Sequence, residues 1–286
     1  MINSKWERFK NGRLGKIRPW ANSHLSGLNP VTVFYPFSGP DLVYAREFFP
    51  NASTYILCGL EPVGNLPSPQ NLQPLNSSLG RMEVSIRSLM EAGYFVTKEM
   101  RVALKQSPLQ GTVPLFCFML ARNGDRILSI QANGDHAEIR FRAPGDSRVR
   151  TLHYFSCNLS NGGMRKGSAL VQFLRSVRPD VGYLKSASYL LHEADFSIIR
   201  DLLLTQCRAI VQDDSGIPLR AFAPDRWRVL NFGVYAPPLD IFKKYNQPDV
   251  AALYAEHPAS PLPFGAGYHW DPKTANLMVF TAIGNR

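Results

Sequence analysis

Residues 31 to 61 restrict the fold of this chain more tightly than any other stretch. Val31-Thr-Val-Phe-Tyr-Pro-Phe37 is an apolar, β-branched and aromatic run of the kind that forms a buried strand. Ser38-Gly39-Pro40-Asp41 interrupts it, Leu42 to Phe49 reads as a short helix, and Ser53 to Leu60 is apolar again before Glu61. A strand, tight turn, helix and second strand in that order make up a βαβ arrangement, which lays two strands side by side and pointing the same way.

With 286 residues and 45% apolar side chains, the chain can bury a substantial core in one large domain or two small ones. No apolar run reaches the roughly 18 residues that a membrane-spanning helix needs, and the longest, such as Val113 to Ala121, are strand-sized. Met1-Ile-Asn-Ser-Lys-Trp6 lacks the apolar centre of a signal peptide. The expectation is a soluble protein, cytoplasmic by default, with export open if a signal peptide has been removed. Cys58, Cys117, Cys157 and Cys207 stand far apart in apolar segments without a CxxC pair. That favours reduced thiols acting as small core hydrophobes, with a disulfide open for an exported protein.

The formal net charge is +10, and half of the excess lies in residues 1 to 20, where Lys5, Arg8, Lys10, Arg13, Lys16 and Arg18 face Glu7 alone. Trp6, Phe9, Leu14, Ile17 and Trp20 are interleaved with those cations. Residues 1–30 therefore read as a basic aromatic N-terminal arm, and residues 31–286 as a single α/β domain. Such an arm can hold nucleic acid or another anionic surface through charge and stacking. The plainer reading docks its aromatic residues on the domain and leaves the cations in water, and the absence of a nucleic-acid-binding motif elsewhere favours it.

Glu61 to Gly80 carries Pro62, Pro67, Pro69 and Pro74 and reads as a long loop of the sort that covers binding sites. Arg81 to Glu91 has Met82, Ile86, Leu89 and Met90 at helical spacing, and Tyr94-Phe-Val96 is a short strand candidate. From 112 to 158 the pattern becomes short strands: Val113 to Arg122, Arg126 to Gln131, Ala137 to Arg142 and Arg150 to Cys157. Asn-Gly and Gly-Asp pairs between these runs signal hairpins, hence an antiparallel excursion attached to the main sheet or extending it. Helices over Ser168 to Val177 and Phe196 to Thr205 then alternate with strands over Val181 to Lys185 and Arg208 to Gln212. Arg228 to Tyr235 and Asn276 to Ala282 read as antiparallel closing strands, separated by short helices at Leu239 to Tyr245 and Val250 to Glu256.

The fold class these elements predict is α/β: a Rossmann-like, mostly parallel sheet flanked by helices, with the antiparallel excursion at about 112–158 and antiparallel C-terminal strands. Ligands of such sheets sit outside the carboxyl ends of the strands, where Ser38 to Asp41, Glu61 and Asp213 to Ser215 would gather. Asp213 and Asp214 are the candidate catalytic residues, because adjacent carboxylates can share a proton or ligate a hard cation. Asp-Ser-Gly is also ordinary turn chemistry, and side chains alternate along extended backbone, so one of the two faces the crevice. Lys185-Ser186 and Ser188-Tyr189 add a cation and hydroxyls after a strand, or shape the start of a helix. No G-x-S-x-G, Walker or H-E-x-x-H motif occurs, no two histidines have metal-ligand spacing, and no metal site is assigned.

Four segments carry a resemblance. Tyr35-Pro-Phe-Ser-Gly-Pro-Asp41, Gly59-Leu-Glu-Pro-Val-Gly64, Lys185-Ser-Ala-Ser-Tyr189 and Gln212-Asp-Asp-Ser-Gly-Ile-Pro218 look like the signature segments of a bacterial protein family that brings no activity with it. Residues 31 to 61 also resemble the opening of class I S-adenosylmethionine-dependent methyltransferases, where a glycine turn follows the first strand and an acid ends the second. That resemblance implies S-adenosylmethionine as cofactor, held by Ser38, Gly39, Asp41 and Glu61. Gly39 would allow its close approach, and Glu61 would accept hydrogen bonds from ribose hydroxyls. The chain departs from the family where Pro36 and Pro40 flank a single Gly39, since Pro40 removes a backbone donor. The structural alternative is that Ser38 and Asp41 cap the helix while Gly39 shapes the turn. Two functions stand side by side: a methyltransferase-like protein binding a nucleotide-type small molecule at the carboxyl edge, or a noncatalytic binding or interaction protein on the same fold.

Overall fold

A computed structural model describes residues 2–64, 86–91, 93–95, 111–165 and 168–284. In chain order, α1 (Ile2–Phe9), a π-helical turn (Lys10–Leu14) and α2 (Gly15–His24) lead into β1 (Thr32–Tyr35), α3 (Leu42–Phe48) and β2 (Thr54–Gly59). After helical residues 86–91 come α4 (Val113–Arg122), β3 (Arg126–Asn133), β4 (His136–Arg142) and β5 (Arg150–Ser156). Then follow α5 (Ala169–Val177), β6 (Val181–Leu184), α6 (Ser197–Gln206), β7 (Ala209–Gln212), β8 (Trp227–Gly233), α7 (Pro248–Glu256) and β9 (Asn276–Ala282).

Among the described residues nine strands form one sheet in the order β3-β4-β5-β2-β1-β6-β7-β9-β8. The central five, β5, β2, β1, β6 and β7, are parallel, and the pairings beyond them on both sides are antiparallel. The architecture is thus mixed α/β, mostly parallel in the middle. Each central strand alternates between two buried layers. Val33, Tyr35, Tyr55, Leu57, Tyr154, Tyr183 and Val211 pack into one; Phe34, Ile56, Cys58, Phe155, Leu184 and Ile210 pack into the other. Burial on both faces is why these strands read as nearly continuous apolar runs, and each large side chain so buried contributes about 1.5–3 kcal/mol. Asp180, just ahead of β6, accepts from the backbone N–H groups of Val31 and Thr32 at 2.8 Å and pins the start of β1.

The opening unit is as expected: β1 and β2 are adjacent and parallel, with Thr32 opposite Thr54 and Tyr35 opposite Leu57. Two expectations need correction. Val113 to Arg122 is not a strand but α4, with Pro114 in its first turn, where a missing N–H costs nothing, and Gly124 at φ +77° just beyond its end. A run apolar on all sides suits a buried helix as well as a buried strand, and Val113, Phe116 and Leu120 share one buried stripe. The excursion is antiparallel only where β3 and β4 join through the Asn133-Gly134-Asp135 turn and β4 meets β5, because β5 runs parallel to β2 as part of the central sheet. The two C-terminal strands are antiparallel as expected: β9 pairs antiparallel with both β7 and β8, so β8 points with the central strands.

The N-terminal arm is helical and docked. Trp6, Phe9, Leu14, Ile17 and Trp20 are all buried, with Trp6 edge-on to Phe118 and Trp20 edge-on to Phe232 and Phe264. The apolar spacing explains the π-turn. Steps of three residues suit an α-helix, but the step of five from Phe9 to Leu14 would rotate Leu14 off the face, and a wider π-turn brings it back. Lys5 pairs with Glu91 at 3.6 Å and Arg18 with Glu47 at 2.8 Å, the charge of the exposed Lys10 also acts on Glu47, and Arg8 and Lys16 are exposed. The four cysteines are free thiols, two buried and two half-buried. No described helix is long and apolar enough to cross a membrane. Most of the proline-rich 61–80 loop, Met82 and Val96 lie outside the described residues.

Candidate functional site

The order of the central strands reverses between β1 and β6, so the loops leaving their carboxyl ends diverge and leave a crevice. After β1 comes Pro36 to Asp41, and after β6 comes Lys185 to Tyr189. Phe37, Ser186, Ser188 and Tyr189 have φ between +53° and +60°, and they are four of the six non-glycine residues with positive φ among the described residues. Each such residue costs on the order of 1 kcal/mol, and strain of this kind concentrates where a site must hold a set shape.

An ion pair fills the crevice. Lys185 Nζ lies 2.8 Å from Asp41 Oδ2, with both side chains buried. The ammonium also donates to the carbonyl of Gly93 and stands 3.8 Å over the ring of Tyr44. Asp41 accepts in addition from Tyr35 Oη at 3.0 Å and, through its other oxygen, from the Tyr44 N–H at 3.3 Å, which makes it the N-cap of α3. Burial lowers the Lys185 pKa, opposed by the charge of Asp41. Burial likewise pushes the hydroxyls of Tyr35 and Tyr183 well above the usual tyrosine range.

The sequence-predicted cofactor residues are all at this edge, and most of their polar atoms bond to the protein itself, Glu61 Oε1 being buried without a hydrogen bond among the described residues. Ser38 does not cap α3. Its hydroxyl accepts from the Cys58 N–H at 3.2 Å and has two carbonyls within donor range, Gly39 at 2.8 Å and Cys58 at 3.2 Å. The Gly39 N–H also donates to the Cys58 carbonyl, at 3.0 Å. Gly39, at φ +52°, comes so close to Gly59 that a Cβ on Gly59 would stand 2.8 Å from the Gly39 Cα. Glu61 is buried beneath Tyr154, whose hydroxyl donates to its backbone carbonyl at 3.0 Å and to its carboxylate at 3.3 Å.

Asp213 and Asp214, just after β7, both accept from the loop that follows β6. Asp213 faces the β6 loop. It accepts from the Ser186 N–H at 2.9 Å, the Ser215 N–H at 2.8 Å and the Ser215 hydroxyl. Gly267, at φ +59°, presses on it so closely that a Cβ there would overlap the carboxylate. Asp214 accepts from the Tyr189 hydroxyl and from Asn276 Nδ2 at 3.1 Å, and its N–H donates to Asn276 Oδ1. Burial first, and the Asp214 charge second, raise Asp213 to about 6; burial also raises Asp214. Both hold loops in place, and no three His, Cys, Asp or Glu side chains among the described residues are arranged to hold a metal ion.

Lys185 is the residue whose importance the sequence understated: it reads as one polar side chain in a turn, and only the β1/β6 reversal sets it against Asp41. Tyr35 and Tyr154 read as ordinary strand aromatics. Tyr268, which donates to the Ser186 carbonyl at 3.0 Å and meets the Ser188 hydroxyl at 2.7 Å, carries no local signal at all. Comparison with family models, curated proteins and solved structures found no match to this chain.

Proposed function

We propose that this chain is a noncatalytic binding or interaction protein built on a Rossmann-like, methyltransferase-like framework. Counted along the chain, the five central strands lie in the order 3-2-1-4-5, that of doubly wound nucleotide-binding sheets, and residues 31 to 61 resemble the methyltransferase opening. The observation that carries the reading is the Lys185–Asp41 pair, which occupies the switch-point crevice with its own bonds satisfied. S-adenosylmethionine does not fit these residues as they stand. The Gly39 N–H is bonded to Cys58, Pro40 has no N–H, and the Glu61 carboxylate lies under Tyr154. No catalytic step is derived through that cofactor.

One observation favours the second reading, a nucleotide-type small molecule bound at this edge: the four strained residues that flank the crevice. A thermal-shift titration separates the two. With S-adenosylmethionine or its demethylated product in large excess, the noncatalytic reading expects the melting temperature to move by less than about 1 °C, whereas site binding at a hundredfold excess over Kd would raise it by about 5 °C. A rise that vanishes in Glu61→Ala would overturn the noncatalytic reading. An anionic partner, nucleic acid or a charged surface, would meet Arg8, Lys10 and Lys16, the exposed cations of the N-terminal helices.

A further inference from the structure

A second concave region lies away from the sheet edge, between the N-terminal helices, α3 and the end of α4, with a volume of ≈ 640 Å³. One wall is the π-turn and α2. Lys10, Leu14, Arg18 and Asn22 form one ridge at four-residue spacing, and Asn11, Gly15 and Pro19 run beside it. Gly15 adds no side chain to this wall, and Pro19 lacks the N–H that an α-helix would aim at the Gly15 carbonyl. Turns of the π type recur at functional sites in helices.

The charges in the groove are not balanced. Arg46 is fixed by two bonds to Asp125, one of 2.9 Å, and lies 5.1 Å from the Phe141 ring centre. Arg18 is held by Glu47 at 2.8 Å. Arg46 is matched by Asp125, while Glu47 is shared between Arg18 and the exposed Lys10, whose charge also acts on it, so the groove keeps one positive charge in excess. The amides of Asn11, Asn22 and Asn123 also line the groove, and none makes a side-chain hydrogen bond among the described residues. An amide both donates and accepts, as a hydroxyl does, so three of them beside an exposed ammonium in a groove with one excess positive charge suit a molecule bearing hydroxyls and a single anionic group. The volume falls in the range of small-molecule sites.

We propose that this groove binds a small polyhydroxylated anion, a phosphorylated or carboxylated sugar-type compound, with Lys10 on the anionic group and the asparagine amides on the hydroxyls. The site is independent of the switch-point crevice, and neither reading of that crevice bears on it. Isothermal titration of the full chain with glucose 6-phosphate and with glucuronate tests it, with glucose and glucosamine as neutral and cationic controls. The expected result is saturable binding of one or both anions at Kd below about 10 mM; the tighter anion identifies the head group. Lys10→Gln should weaken that binding at least about tenfold, Lys10→Arg should restore most of it, and Lys16→Gln, the same loss of charge on an exposed helix position outside the groove, should leave it within about twofold. Lys10 is exposed, so its replacement leaves the core intact. No saturable binding of either anion, or equal weakening by Lys10→Gln and Lys16→Gln, would overturn the proposal.

Discussion

Replacing Lys185 by Met isolates the electrostatics of the crevice, because Met keeps most of the buried stem and removes the ammonium. In the wild type the ammonium contacts the Asp41 carboxylate at 2.8 Å, the Gly93 carbonyl and the Tyr44 ring. Without it, Asp41 stays buried with two donors, Tyr35 Oη and the Tyr44 N–H. Removing one member of a buried pair typically costs about 3–5 kcal/mol. The two surviving donors and the option of protonating Asp41 hold the cost to the lower end, about 3 kcal/mol. With a urea m-value of about 3 kcal/mol/M for a chain of this size, the midpoint should fall by about 1 M at unchanged m. Asp41→Asn should cost a similar amount by stranding the ammonium. The double variant should cost less than the two singles together by about 2 kcal/mol, the mark of direct coupling. Singles below about 1 kcal/mol, or strictly additive losses, would refute the claim that a desolvated pair fills the crevice.

Gly59→Ala places a methyl group 2.8 Å from both the Gly39 Cα and the Tyr154 hydroxyl and over the Glu61 carboxylate. Because one obstacle is backbone, a loss of about 3 kcal/mol is expected in urea unfolding; a neutral substitution would mean that the ends of β1 and β2 do not touch. The pH dependence of stability tests the Asp213–Asp214 corner. Asp213 has a folded pKa of about 6 against 3.8 unfolded, so the folded state keeps its proton to higher pH. The stability this confers is fully present below pH 3.8 and lost as pH rises through 6, a change of about 3 kcal/mol. Wild-type stability relative to Asp213→Asn should therefore decline between pH 4 and 6, and parallel profiles would show that Asp213 is not desolvated.

Much of the fold is legible from local pattern. The strand–turn–helix–strand of residues 31 to 61, the helices after Ser168 and around Ser197, and the strands at Val181, Ala209 and Asn276 each carry their period and their punctuation within a dozen residues. The N-terminal helices show their docking face in the spacing of Trp6, Phe9, Leu14, Ile17 and Trp20, once the five-residue step is recognised as a π-turn. Val113 to Arg122 is where local pattern fails. A run apolar on every side has no period to read, and burial by α3, β3 and the N-terminal helix decides that it is helical.

The candidate site divides along the same line. Its location follows from sequence, because parallel strands deliver the loops after Tyr35, Gly59 and Gln212 to a common edge. What those loops do there depends on partners far along the chain. Asp41 meets Lys185, Glu61 meets Tyr154, and Asp214 meets Tyr189 and Asn276, each pair brought together by strand order alone. By itself the sequence determined which residues are buried strands and turns, since backbone preference and side-chain periodicity act between near neighbours. Only the tertiary structure decided that the polar groups at the sheet edge bond to one another, because desolvation and charge pairing depend on distance in space.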